Sequence, residues 1–299
     1  MKSNSQTKNF SLEKAVVLKL TDYIVFSKFR LSLLVVFSAA IVYLLAAESF
    51  NYADFLYLIT GGFLVTASSN GFNQVIERDF DKLMHRTQLR PLVTGRMSLP
   101  EAYLVASLFG VLGITLLWFQ LNPLCGILGA MALFLYVLLY TPLKRISPIS
   151  VFVGAFPGSI PPMIGWVAAT GKFGVEPGLL FLVQFAWQFP HFWSIAWKLD
   201  ADYSLAGFKM LPSIKGKNKA SAFIILVTTL SVIPAGLLPF IFNISGIYYA
   251  IFSMILGALL TLNSVLLFIY LKEKYATRLM FFSFLYLPLL FIIMYLDKL

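Results

Sequence analysis

The chain has 299 residues, of which 59% are hydrophobic and only 12% charged, with a mean hydropathy of +0.84. Soluble domains carry about twice that charge fraction. A soluble enzyme, a disordered segment and a nucleic-acid-binding module are therefore poor fits, despite a net charge of +10. One cysteine, Cys125, excludes a disulfide framework. Two histidines, His85 and His191, exclude a multi-histidine metal site. What remains is an all-α, polytopic membrane protein.

A helix that spans a bilayer needs roughly 20 mostly apolar residues. Nine runs meet that need, at residues 31–47, 55–73, 103–119, 124–140, 149–169, 179–197, 222–240, 248–270 and 280–295. They are continuous rather than alternating, so an outer-membrane barrel is excluded and nine transmembrane helices are expected. Of 23 Lys and Arg residues, 21 fall before the first run or in the even-to-odd loops, leaving Lys172 and Lys298 opposite. The positive-inside rule then puts the N-terminus in the cytoplasm and the C-terminus outside a cell membrane. Residues 1–28, with Glu13 and no long apolar core, read as a polar cytoplasmic segment and not a cleavable signal peptide. No linker divides residues 1–299, so a single domain is expected.

The first polar cluster is Asn70-Gly71-Phe72-Asn73-Gln74-Val75-Ile76-Glu77-Arg78-Asp79-Phe80-Asp81. Asn73, Glu77 and Asp81 stand at i, i+4 and i+8. On a continuing helix they share one face, drifting about 40° per step over roughly 12 Å. Such a stripe of oxygen ligands suits Mg2+, which takes one or two carboxylates and fills its shell with water and phosphate oxygens. Arg78, Lys82, Arg86 and Arg90 follow and suit a polyphosphate. A solvated helix end explains these cations equally well. It does not explain Ser68, Ser69, Asn70 and Asn73 at the membrane boundary, where polar groups cost free energy unless they line a cavity.

The second cluster, Tyr140-Thr141-Pro142-Leu143-Lys144, reads alone as an ordinary interfacial anchor. The fifth run, with Pro157, Gly158, Pro161 and Pro162, is expected to kink and shape a pocket wall. The third cluster, Trp187-Gln188-Phe189-Pro190-His191-Phe192-Trp193, puts Gln188 and His191 inside an apolar run, and Pro190 is expected to break the helix there. A flat aromatic cavity with one imidazole would hold a large planar ligand, although a lone His in an apolar run is often only a packed residue. Lys198 and Asp202 follow as a second polar rim. The last three runs are expected to be lipid-facing scaffold.

Taken together, Asn-x-x-x-Glu-x-x-x-Asp after the second run, Tyr-x-x-x-Lys after the fourth and the Asp202 motif after the sixth resemble the UbiA-type intramembrane prenyltransferases. The runs Arg90-Pro91-Leu92-Val93-Thr94-Gly95 and Asp202-Tyr203, with Pro190-His191-Phe192-Trp193, are similar to the haem-farnesylating branch of that superfamily, over residues 30–296. The resemblance implies nine helices around a central cavity with a cytoplasmic polar cap, and farnesyl transfer from farnesyl diphosphate to a vinyl group of haem B. It implies that Asn73, Glu77, Asp81 and Asp202 bind Mg2+, and that Arg86, Arg90, Tyr140 and Lys144 receive the diphosphate. Trp187, Gln188 and His191 would meet haem, His191 touching its iron or a propionate. Lys198 stands where many members carry a carboxylate, which suggests direct contact with phosphate instead. Membrane lipid, and contact with haem A synthase or a terminal oxidase, are further expectations. The rivals are a prenyltransferase acting on an aromatic quinone precursor, a secondary transporter, and a haem-binding protein without catalysis.

Overall fold

A computed structural model describes the backbone of residues 3–299 and the side chains of residue 14 and residues 16–299. The side chains of Lys2, Lys8 and Glu13, assigned above to the cytoplasmic segment, lie outside the described residues. The described chain is helical, and its one β-bridge is isolated, between Ser245 and Lys298. The helices are α1 (Ser3–Phe26), α2 (Phe29–Ala46), α3 (Tyr52–Ile76), α4 (Arg78–Asp81), α5 (Leu99–Leu116), α6 (Pro123–Phe134), α7 (Thr141–Ile146), α8 (Ser150–Thr170), α9 (Val175–Lys198), α10 (Asp200–Leu205), α11 (Lys219–Ile241), α12 (Ile247–Tyr270) and α13 (Glu273–Leu296). π-Helical turns at Leu117–Leu121 and Leu135–Tyr140 extend α5 and α6.

Each of the nine apolar runs coincides with a long helix. Seven helices among the described residues are long and apolar enough to cross a membrane. The other two, α3 and α9, have the length, at 25 and 24 residues, but bury the polar residues of the first and third clusters. Length and apolarity therefore give seven spans where nine were expected. The two exceptions are the helices that carry the site.

Local chemistry sets the ends. Asn51 caps α3 by accepting the Ala53 and Asp54 N–H groups, Ser98 and Glu101 form a capping box on α5, and Asn122 caps α6 with Pro123 behind it. Gly171 ends α8 in the left-handed conformation at φ 69°. α8 runs on through its three prolines, and at one of them a side chain takes over the orphaned carbonyl. Pro162 has no N–H for the Gly158 carbonyl, and Gln184 of α9 donates to that oxygen instead. α9 likewise continues through Pro190, so the expected break there is not formed.

Neighbouring helices pack in a ring, from α2 through α3, α5, α6, α8, α9, α11, α12 and α13, and α13 returns to α2. Small residues permit the tightest crossings. A Cβ on Gly165 of α8 would lie 2.1 Å from the Ala39 carbonyl oxygen of α2. The ring encloses a mainly apolar cavity of about 260 Å³, lined from α2, α3, α8, α9 and α13 and from the π-helical turns. α11 and α12 stay outside it. The reading of the last three runs as scaffold is thus corrected for α13, which faces the cavity through Phe284, Leu287, Pro288 and Phe291.

Candidate functional site

The stripe of the first cluster survives although α3 ends at Ile76. The Glu77 N–H donates to the Asn73 carbonyl at 2.9 Å and the Asp81 N–H to the Glu77 carbonyl at 2.8 Å. The helical i+4 spacing is therefore kept across the junction with α4. All three side chains are buried. Burial of a charge is costly unless it is paired, and both carboxylates are answered, Glu77 from a distant part of the chain and Asp81 from the loop that follows it. Glu77 accepts from Lys144 Nζ at 2.8 Å, and that ammonium also stands 4.5 Å from the centre of the Tyr140 ring. Asp81 Oδ2 accepts from Arg90, while Asp81 Oδ1 is buried with no partner among the described residues. Burial pushes the Asp81 carboxyl above its usual range, with the Arg90 guanidinium pulling the other way.

Asn73 joins the same assembly: its amide donates to Thr141 Oγ1 at 3.3 Å and its Oδ1 accepts from Lys28 Nζ at 3.4 Å. Lys28 occupies the corner between α1 and α2 at a left-handed φ of 46°. Burial, helped by Arg90 and Lys144, pulls its ammonium down to about 7. In the sequence Lys28 was only one of many cytoplasmic charges. Its place beside Asn73 comes from the α1–α2 corner, for which the sequence carries no motif.

The cap is completed by the long loops. The backbone N–H of Arg86 donates to Asp202 Oδ2 at 3.2 Å, and the Arg86 guanidinium lies 5.7 Å from the Tyr203 ring centre. The Lys209 N–H donates to the Lys144 carbonyl at 2.8 Å. Buried Asp22 holds Arg96 at 2.9 Å, and Arg96 holds the Leu89 carbonyl next to Arg90.

Two of the expected site residues are placed apart from the stripe. Asp202 bonds the Arg86 backbone and is not gathered with Glu77 and Asp81. No cluster of three or more His, Cys, Asp or Glu suited to a metal is found among the described residues. Lys198 is exposed, with its ammonium 5.9 Å from the Phe281 ring centre. α9 turns this side chain outward, away from the ion-paired cluster where phosphate contact was expected.

The third cluster lines the cavity through Trp187, Gln188 and His191. Gln188 donates to the Ala155 carbonyl at 3.0 Å and to Ser159 Oγ at 2.7 Å. The Trp187 indole donates to the Ser283 carbonyl at 2.8 Å, and His191 Nδ1 lies 2.9 Å from Ser283 Oγ. Tyr140, Asn70 and Ser69 line the same cavity, which joins it to the helix ends that carry the ion pairs.

A multi-pass helical membrane protein with paired acids and bases roofing an intramembrane cavity is built as an enzyme that takes an apolar substrate with an anionic head. The chain belongs to the UbiA prenyltransferase family, which matches residues 34–286. Protoheme IX farnesyltransferase of Cytophaga hutchinsonii is 46% identical over 92% of this chain and 97% of its own length. Its counterpart from Christiangramia forsetii is 45% identical over 93% and 94%. Among solved structures, a digeranylgeranylglyceryl phosphate synthase has the same fold, with a TM-score of 0.78, 21% identity and coverage of 93% of this chain and 98% of that one. A UbiA homolog from Archaeoglobus fulgidus, bound to GPP and Mg2+, overlays with a TM-score of 0.67 at 15% identity, over 91% and 99%.

Proposed function

We propose that the chain transfers a farnesyl group from farnesyl diphosphate to a vinyl group of haem B, giving haem O. The observation that carries this reading is the meeting of two chemistries: an acid–base roof opens onto an apolar cavity with an imidazole in its wall. The relatives named as protoheme IX farnesyltransferases, at 45–46% identity over nearly their whole length, support the donor and the acceptor.

The roof fits a metal–diphosphate head. Asp81 Oδ1 is a buried oxygen without a partner among the described residues, and Asn73 and Glu77 add hard oxygen donors. These three residues would hold Mg2+, with diphosphate oxygens filling the shell. When bound, Mg2+ supplies positive charge to the departing diphosphate. Lys144 and Arg90, once released from Glu77 and Asp81, donate to the diphosphate, with Arg86 and Lys28 at its edge. Tyr140 lies where the head meets the prenyl chain.

The allylic C–O bond breaks with its electron pair leaving on diphosphate, and the roof's cations are preorganised for that charge. The aromatic wall stabilises the allylic cation and excludes water. Vinyl electrons of haem B then form the new C–C bond. Water adds to the resulting porphyrin-conjugated cation and loses a proton, leaving a hydroxyethylfarnesyl group. Trp187, Gln188 and His191 form the wall against which haem lies. The excess of Lys and Arg on the roof side supports a cytoplasmic N-terminus and cap in the cell membrane. Haem A synthase or a terminal oxidase would receive the product there.

The test is a product assay on purified protein with haem B, farnesyl diphosphate and Mg2+, read by mass analysis of extracted haem. A haem heavier by a hydroxyfarnesyl unit, formed only with Mg2+, is expected. Diphosphate release with an aromatic acceptor and no haem product would overturn the acceptor and keep the family.

A further inference from the structure

Ser283 of α13 is fully buried and holds two rings of α9 at once: its carbonyl accepts from Trp187 and its Oγ meets His191 Nδ1. The Ser283 hydroxyl has a single proton and its Oγ lies 2.7 Å from the Met280 carbonyl. With that proton assigned to the carbonyl, the Ser283 oxygen is an acceptor towards His191. Hydrogen-bond bookkeeping then assigns the ring hydrogen to Nδ1 and leaves the lone pair of the neutral imidazole on Nε2. Nε2 has no hydrogen-bond partner among the described residues, and His191 is part of the cavity wall. The ring cannot turn freely. Trp187 stacks on it at 4.4 Å and 20°, and Phe284 meets it edge-on at 5.0 Å and 78°.

A neutral imidazole, fixed in one tautomer by an acceptor on one nitrogen and bare on the other, is the form in which proteins present histidine to a metal. We propose that His191 Nε2 is the axial ligand of the iron in the porphyrin acceptor, and that Ser283 is the positioning residue that keeps Nε2 free to bind it. The proposal rests on the haem reading above. It decides between the iron and a propionate, because a propionate needs a donor and Nε2 carries no hydrogen. It also makes the metal part of acceptor recognition: an iron porphyrin gains a bond at His191 that a metal-free porphyrin does not.

The full-length protein in lipid nanodiscs is titrated with ferric haem B and, separately, with metal-free protoporphyrin IX. Absorbance follows both, and electron paramagnetic resonance follows the haem complex. Haem is expected to bind about tenfold or more tightly than the metal-free ring, with the spectrum of a histidine-ligated iron. His191→Ala loses that spectrum, and added imidazole restores it, which separates loss of the ligand from misfolding. Ser283→Ala weakens haem binding about tenfold and leaves metal-free porphyrin binding unchanged, whereas Ser283→Thr behaves as the parent. If His191→Ala binds haem with an unaltered spectrum, iron ligation is overturned while the haem reading stands. Equal loss of both porphyrins in Ser283→Ala overturns the positioning role. If the folded parent binds neither porphyrin, the proposal and the haem reading fall together.

Discussion

The roof of the cavity and its wall treat buried polarity in opposite ways. In the roof, Glu77 and Asp81 are buried charges, each bonded to a cation, Lys144 from a remote segment and Arg90 from the adjoining loop. In the wall, Gln184, Gln188, His191 and Ser283 are neutral groups bonded to backbone carbonyls, hydroxyls and one another. Neutral bonds of this kind fix a shape and need no counter-charge. Ion pairs at the membrane face can exchange partners: in the proposed reaction a metal–diphosphate head would bring a cation for the carboxylates and an anion for Lys144 and Arg90. Bringing only one of the two would leave a buried charge unanswered, which costs several kcal/mol. The difference teaches that the roof is built to be rearranged and the wall to stay as it is.

The largest expected effect, and the quickest way to break this contrast, is in the roof. Asp81→Asn should lower haem-product formation by about 10²–10³-fold while the protein still inserts. Near-normal turnover in the product assay would remove Asp81 from the chemistry. Next come the partners of the buried pair. Glu77→Gln or Lys144→Met alone should each lower stability by roughly 3–5 kcal/mol, read from thermal melting in detergent. The double variant should recover most of that stability and stay inactive; a double variant no more stable than the singles would show that the two do not act as a pair.

In the helix packing around the wall, Gly165→Ala should cost about 1–3 kcal/mol by forcing α2 and α8 apart, with prenyl diphosphate affinity unchanged. A parallel loss of affinity would mean that roof and wall are not separate devices. Lys28→Met should raise KM for prenyl diphosphate by about tenfold and leave kcat within about twofold, as expected when a charged contact to the substrate head is lost. The smallest effect belongs to Lys198→Gln, whose activity should stay within about twofold of the parent because the side chain faces outward.

Much of this molecule was legible in its sequence because apolar length and helical period are local properties. The nine apolar runs matched nine long helices. The Asn73, Glu77 and Asp81 stripe was readable because the 3.6-residue period persists through the helix end. The partner of Glu77 was not. Lys144 lies 67 residues beyond Glu77, and only the fold decides which cation a carboxylate meets. Lys198 shows the reverse limit: its nearness to Asp202 in sequence said nothing about the direction of its side chain. Ser283 gave no signal, since a single serine in an apolar run looks like any small residue that lets helices approach. Its value comes from two bonds to another helix.

The π-helical turn at Leu135–Tyr140 amounts to one extra residue wound into α6 before Lys144. Loss of one residue there could be absorbed by rewinding to ordinary α-helix, because an i→i+5 turn spends one residue more than an i→i+4 turn on nearly the same sweep. The Lys144 ammonium would then stay on Glu77 and the Tyr140 ring on Gly154, against which it packs. One residue added after the turn and wound as ordinary helix would instead rotate everything beyond it by about 100° and swing the Lys144 ammonium off Glu77, while the span would still cross the bilayer. Membrane insertion and catalysis are, at that turn, written in separate registers of the same helix.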